Sequence, residues 1–559
     1  MNRLLRSAIV LPSFLVGLCA IADRESQAAA PELKELGSHQ FKVTTESGAS
    51  QRAFNRGLNL AYSFGHFAAE QEFREAVKTD KNCAMAYWGI ALVNGPHINF
   101  PLVPPDKAAT AWENLSKAKQ LVGTCSPVEQ ALVRALESRY ANPQPEDRSA
   151  LDGAYAAAMR SVWKEYSHNA DVAVLFAEAA MDLHPWDFWT NGMPQPWTPE
   201  ILEALRQALR LDPKNPGANH FYVHMTEASS HPEDALVEAD RLRRLVPDSS
   251  HMVHMPSHIY SRTGRWKAAA ESNREAIKVD ALYRKAYPRP GLYSMYMAHN
   301  LHFLAWVSMM QGRSEAAIAA ARHMVNEIPE EFLKEYASIA DGYMAIVPEV
   351  LMRFGRWEEI LKEPEPRSDL PLARALWRYT RAVAFTALDK REQAQGECAA
   401  FAKAKSEVPT DRTMGNNSAS QLLALATLVL EGEAKAKERD FTNSISRLEE
   451  AARLENGLHY DEPPDWIQPV RHTLGAVLLQ AGRAAEAESI YLEELQRNPE
   501  NGWGLLGLHD ALNRQGKQAE AMKVEKRLRK AWAQADISPK STCYCQIPGK
   551  PKRSGPLTL

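Results

Sequence analysis

Histidine is the residue type in this chain whose spacing points to chemistry. Between Asn219 and Phe303 the sequence reads NHFYVHMTE, then SSHMVHMPSHIY, then MAHNLHF. His220 and His224 are four apart, His251, His254 and His258 three and four apart, and His299 and His302 three apart. On helices each set faces one way, because residues three and four apart share a side. Neutral imidazole is the commonest protein ligand for zinc, copper and iron, and two rings one turn apart can share one ion. The spacing between sets adds to this. His220 to His254 and His224 to His258 both span 34 residues, while His251 to His299 and His254 to His302 both span 48. Histidine therefore recurs at the same position of successive units, the longer spacing being one unit with a 14-residue insertion.

Units of that length are positioned by pairs of helices. Phe54, Gly57, Leu60, Ala69, Phe73 and Ala76 mark a first pair by the small and large apolar residues that let one hairpin stack on the next. A Gly-Arg pair recurs at Gly264-Arg265, Gly312-Arg313, Gly355-Arg356 and Gly482-Arg483, with Gly516-Lys517 at the end, where glycine supplies the left-handed turn that stops a helix. Ala487 and Ala521, and Pro213 and Pro247, are again 34 apart. From about Phe54 to Trp532 these offsets resemble the tetratricopeptide repeat (TPR) superfamily. More closely, NHFYVH, HPEDAL, HMVHMPSHIYSRTGRW and AHNLHFLAWVSMMQGR resemble the core of a group of exported bacterial TPR proteins with no established activity.

The resemblance implies an all-α fold, a TPR-type α-solenoid of stacked helix hairpins forming a superhelix with a concave groove. It also implies that positions two, five, nine and twelve of each first helix face that groove. Counted from Ala269, His251, His254 and His258 fall at two, five and nine; His220, His224 and Glu227 at five, nine and twelve; His299 and His302 at two and five. Met225 and Met255 fall one step round and read as core filler, as does Tyr260, a packing aromatic, although Tyr222 and Tyr296 also lie among the histidines. No segment keeps a strand period long enough for a sheet.

A tetrahedral ion needs three or four ligands, so the expected set is His220, His224, His254 and His258, in register on neighbouring helices. His251, His299 and His302 then complete a second site or support the first. Glu227, one turn from His224, is the catalytic candidate: a ligand, a general base for metal-bound water, or a partner orienting an imidazole. Glu178 and Glu349, at position nine of flanking first helices, are weaker candidates, and His97 and His184 are placed at the rim. Two other readings stay open on sequence. The rings line a groove for a peptide or protein partner, as a scaffold, or form an acid-sensitive or anion-binding patch. Packing alone accounts poorly for so many imidazoles at close range. Two aromatic, Pro-containing loops, HPWDFWTNGMPQPWTP and HYDEPPDWIQPV, read as rigid flaps or as lids.

The rest of the chain sets the context. Its 559 residues are 24% charged with a net charge of -3, which does not favour nucleic acid. Residues 1–29 have a secretory signal layout: Arg3 and Arg6, an apolar run from Ala8 to Ala22, then SQAAA. A periplasmic or secreted protein is expected, with no transmembrane segment after signal removal. The divisions that follow are a lead at 30–53, helical repeats at 54–212 and a histidine-rich core at 213–330. Beyond these lie degenerate repeats at 331–460, regular units at 461–535 and a flexible tail at 536–559. Cys83 and Cys125 are a possible disulfide pair, and Cys543 and Cys545 in the tail form a weak metal or redox signal. GxSxG, GxxxxGK[ST], HExxH and CxxCH motifs are absent.

Overall fold

The computed structural model describes residues 33–288 and 290–546; the signal layout at 1–29 lies outside them. Among the described residues the chain is helix after helix, broken only by two short hairpins at Trp189–Thr190 with Met193–Pro194 and at Thr413–Met414 with Asn417–Ser418. Successive helices pack as antiparallel pairs. Gly48–Ala61 lies on His66–Thr79, Ser294–Met310 on Ser314–Glu327, Pro371–Ala387 on Arg391–Glu407, and Val470–Gln480 on Ala484–Arg497. This is the TPR-type solenoid. None of the described helices is long and apolar enough to cross a membrane.

The recurring glycine does what its place requires. Gly264, Gly312, Gly355, Gly482 and Gly516 all have positive φ, between 65° and 78°. At Gly264 the next N–H, of Arg265, reaches back to Tyr260 O at 2.7 Å while Gly264 N donates to Ser261 O at 3.0 Å, the two bonds of a Schellman stop. The blurred region hides the same turn with another residue in it: Asp389 (φ 59°) and Arg439 (φ 66°), with Lys390 N to Phe385 O and Asp440 N to Lys435 O both 3.0 Å. The first unit uses Phe64 (φ 55°) in that place.

The superhelix turns back on itself. Trp266 Nε1 donates to Pro499 O and Trp503 Nε1 to Met309 O, both at 2.8 Å, so the last units sit against the histidine-bearing ones. The lead packs as well, with Lys34 N and Glu35 N on Asp248 Oδ2 at 2.7 and 2.8 Å. The expected flexible tail does not hold for residues 536–546. Asp536 accepts from Ser314 N at 2.7 Å, and Thr542 bonds Tyr491 Oη at 2.7 Å and His472 O at 2.6 Å, so polar groups of the tail complete those of the repeats. Cys543 and Cys545 are closed as a disulfide beside Glu433, and Cys83 and Cys125 are buried free thiols rather than a pair.

Candidate metal centre

Three helical stretches carry the histidines. Pro216–Glu227 starts with Pro216 at its first turn and the Asn215 side chain accepting from Ala218 N. The next stretch is capped by Ser249 and divided at Pro256 into Ser250–His254 and Pro256–Arg262, because proline has no N–H for the preceding turn. The third is Ser294–Met310. Six of the seven rings are buried, from 0% exposed (His220, His254) to 4% (His258), and only His299 is partly exposed.

The rings form two groups, divided differently from the expected set. His220, His224 and His251 bring one ligand atom each within 4.8 Å of one another, and so do His254, His258 and His299. His220 Nε2 meets His251 Nε2 at 3.0 Å, and His254 Nε2 meets His258 Nε2 at 2.8 Å. The rings of His254 and His299 are 4.7 Å apart. The reason is stagger between neighbouring helices. His220 meets a ring 31 positions on and His254 one 45 positions on, each the unit spacing less three, so contact runs one helical turn out of register. His302 is left outside both groups: its ring faces the Tyr343 edge at 5.3 Å and its Nε2 has no partner.

The outer ring nitrogens are held by acceptors. His220 Nδ1 donates to Tyr62 O at 2.7 Å, His224 Nδ1 to Glu227 Oε1 at 2.8 Å, and His254 Nδ1 to Asn273 Oδ1 at 2.7 Å. Asn273 is itself oriented, its Nδ2 donating to Ala269 O at 2.9 Å. These bonds put the proton on Nδ1 and the lone pair on Nε2. His258 Nδ1 lies 2.5 Å from Glu227 Oε2 and 3.4 Å from Glu462 Oε2, as an ion pair rather than an aligned hydrogen bond. Glu227 thus spans the two groups, one oxygen on His224 and the other against His258. Both of its oxygens are engaged by imidazoles.

The electrostatics follow from burial. Burial and neighbouring imidazoles hold His220, His251, His254 and His299 well below the usual histidine range, and burial alone takes His302 to about 3. Burial opposes charge on His258 too, but Glu227 and Glu462 outweigh it and raise the ring to about 10. Glu227, which burial would push up, is held at about 2 by His258 and His224.

Aromatic side chains pack over the first group. Phe64 lies 4.8, 5.8 and 5.5 Å from His220, His224 and His251. Trp186 meets His224 edge-on at 5.2 Å, and Trp189 Nε1 donates to Met225 O at 2.7 Å, which fastens the first aromatic loop to the histidine helix. Phe64 and Trp186 (φ 61°) are both large residues in the left-handed region, a conformation that costs about 1–3 kcal/mol and collects at functional sites. From the second aromatic loop, Tyr460 Oη reaches Glu227 Oε2 at 3.5 Å.

The remaining candidates sit elsewhere. His97 is buried behind Phe64, stacked at 5.1 Å, and His184 stacks on Trp197 at 3.6 Å, away from the rings. Burial raises Glu178 to about 7 against the pull of Arg139, and raises Glu349 to about 8; neither touches the histidines. Glu462, Asn273 and Phe64 were not singled out from sequence. The signal for Phe64 was present: the first turn reads SFGH where later ones read Gly-Arg.

No family model and no curated protein matches this chain. Similar solved structures include human IFIT1 as a dimer with m7Gppp-AAAA, at 13% identity, TM-score 0.32, covering 88% of this chain and 92% of that one. The TPR domain of P58(IPK) aligns at 16% identity and TM-score 0.18, covering 61% and 93%. Yeast Tom70 aligns at 11% identity and TM-score 0.28, covering 87% and 91%. At these overlaps the TPR assignment rests on the chain's own hairpins, turns and 34-residue spacing.

Proposed function

We propose that this is an exported TPR-type protein whose centre binds two transition-metal ions. One is held by His220, His224 and His251, the other by His254, His258 and His299. One observation carries the reading: three Nδ1 protons are committed to a carbonyl, a carboxylate and an amide oxygen, while the Nε2 lone pairs turn inward, with His224 Nε2 unpartnered. That is how metal-ligating histidines are oriented from behind. Imidazole and carboxylate donors without thiolate suit zinc, copper or iron. Export is argued from the Arg-containing, apolar and small-residue order of residues 1–29.

The test is metal analysis of the mature protein without a histidine tag, after reconstitution with zinc, copper or iron. Two equivalents are expected. His254→Ala with His258→Ala removes one, His220→Ala with His224→Ala removes the other, and helicity stays in both. No metal in the unaltered protein overturns the proposal.

A further inference from the structure

Beside the rings lies a cavity of about 550 Å3, within the range that holds small molecules. Its lining is of two kinds: His224, Glu227, His258, His299, Asp461 and Glu462 are polar or charged, and Ile98, Phe100, Met295, Met324, Ile328 and Phe332 are apolar. Leu102, 68% exposed, and Ile339, 38% exposed, also line it, large apolar side chains left in water beside the cavity. His302 lines the cavity too, with a buried Nε2 that has no hydrogen-bond partner, and its residue is 2% exposed. A buried polar atom of that kind is costly unless something pairs with it. Among the described residues no lysine or arginine lines the cavity, so an anionic ligand finds no cationic side chain of that kind there.

We infer that this cavity is the chamber for a neutral small molecule with an apolar body and one polar end. The body lies on the Ile98, Met324 and Phe332 wall, and the polar end faces His258 and His299 and is reached by His302 Nε2. The proposal rests on the metal reading only for what the polar end meets. The apolar lining and His302 stand without it.

Calorimetric titration separates the two readings. The first probe is 4-butylphenol, added to metal-free protein. Saturable binding at one site is expected, weakened about tenfold in His302→Phe, which keeps the wall but removes the acceptor or donor. The second is a pair of hydroxamic acids added to metal-loaded protein. Each buried methylene contributes about fourfold, so octanohydroxamic acid should bind at least about 30-fold more tightly than acetohydroxamic acid. Ala340→Trp, which fills the chamber, should erase that advantage while metal content stays the same. The chain-length comparison needs no variant, so a poorly folding Ala340→Trp does not remove the test. No 4-butylphenol binding to folded protein, or equal affinity for the two hydroxamic acids, overturns the chamber. Absence of metal with 4-butylphenol still bound overturns the metal reading and leaves the chamber.

Discussion

Two parts of one solenoid treat buried histidine in opposite ways. In the last units His472, on Val470–Gln480, is 0% exposed and alone, with Glu494 Oε1 3.3 Å from its Nε2. That hairpin is otherwise regular: Gly475 and Gly507 leave room for the Tyr491 ring, which a Cβ would meet at 2.3 and 2.1 Å. In the histidine-bearing units six rings gather in two groups, two of them, His224 and His258, against Glu227 and Glu462, and Nε2 atoms face each other at 2.8 and 3.0 Å. The difference lies in the ratio of imidazoles to carboxylates. One ring beside one carboxylate, even with neither ring nitrogen hydrogen-bonded, offers too few ligands to hold an ion. Six rings and two carboxylates leave imidazole paired with imidazole, and His224 Nε2 with no partner, an arrangement in which a cation could replace the ring-to-ring contacts.

Acid should separate the regions most strongly. His220, His251, His254 and His299 are held low by burial, so as pH falls below about 6.5 the unfolded chain takes protons that the folded one does not, and stability drops. His258 works in the other direction, its contribution complete below about 6.5 and lost as pH climbs through about 10. Glu227 contributes fully above about 4.5 and loses this only toward about 2. In metal-free protein, His220→Gln with His254→Gln should flatten the fall in stability between about pH 7 and 5 by about one to two protons relative to the unaltered chain, whose total slope also carries buried carboxylates such as Glu349, Glu433 and Asp461 that are raised by burial and work the other way. His472→Gln should remove one proton of that difference at most, and no flattening in the central variant would mean that the central rings are not neutral in the fold.

Glu227→Gln comes next. Because Glu227 orients a ring in each group, both metal positions should weaken, by about 10- to 100-fold in competition with a chelator. Glu494→Gln, the matching change beside His472, should leave metal affinity where it was. Loss at one position only would show that Glu227 does not join the groups.

Phe64→Gly tests the aromatic packing over the first group. Losing a buried phenylalanine usually costs about 3–5 kcal/mol, but glycine relieves the left-handed strain, so the net loss should be about 2 kcal/mol by denaturation. Metal release to a chelator should quicken about tenfold, since the ring shields the first group. Unchanged release would reduce Phe64 to packing. The smallest effect is expected at Asn273→Ala: about tenfold weaker binding at the His254 group and no change at the His220 group. Equal weakening at both would merge the two groups into one.

Much of this was legible in the residues. The 34-residue offsets and the Gly-Arg turns announced the hairpins, and the three-and-four spacing announced faces of histidine, because helix geometry is local. The degenerate units were harder to read, since Asp389 and Arg439 take a turn that glycine marks elsewhere. The grouping of the rings was misread: equal spacing suggested that His220, His224, His254 and His258 meet, whereas stacked helices shift by a turn and bring in His251 and His299. Nothing local encodes that shift.

The sequence by itself determined that the chain is helical hairpins, where the glycine-marked helices stop, and that seven imidazoles fall at helical spacing on three helical stretches. Only the tertiary structure decided which rings share a centre and which nitrogen each presents. His220 takes its acceptor from Tyr62, 158 positions away, and Tyr460 approaches Glu227 from 233 positions away. Tautomer, tilt and aromatic packing depend on such partners, and they meet only when the superhelix closes.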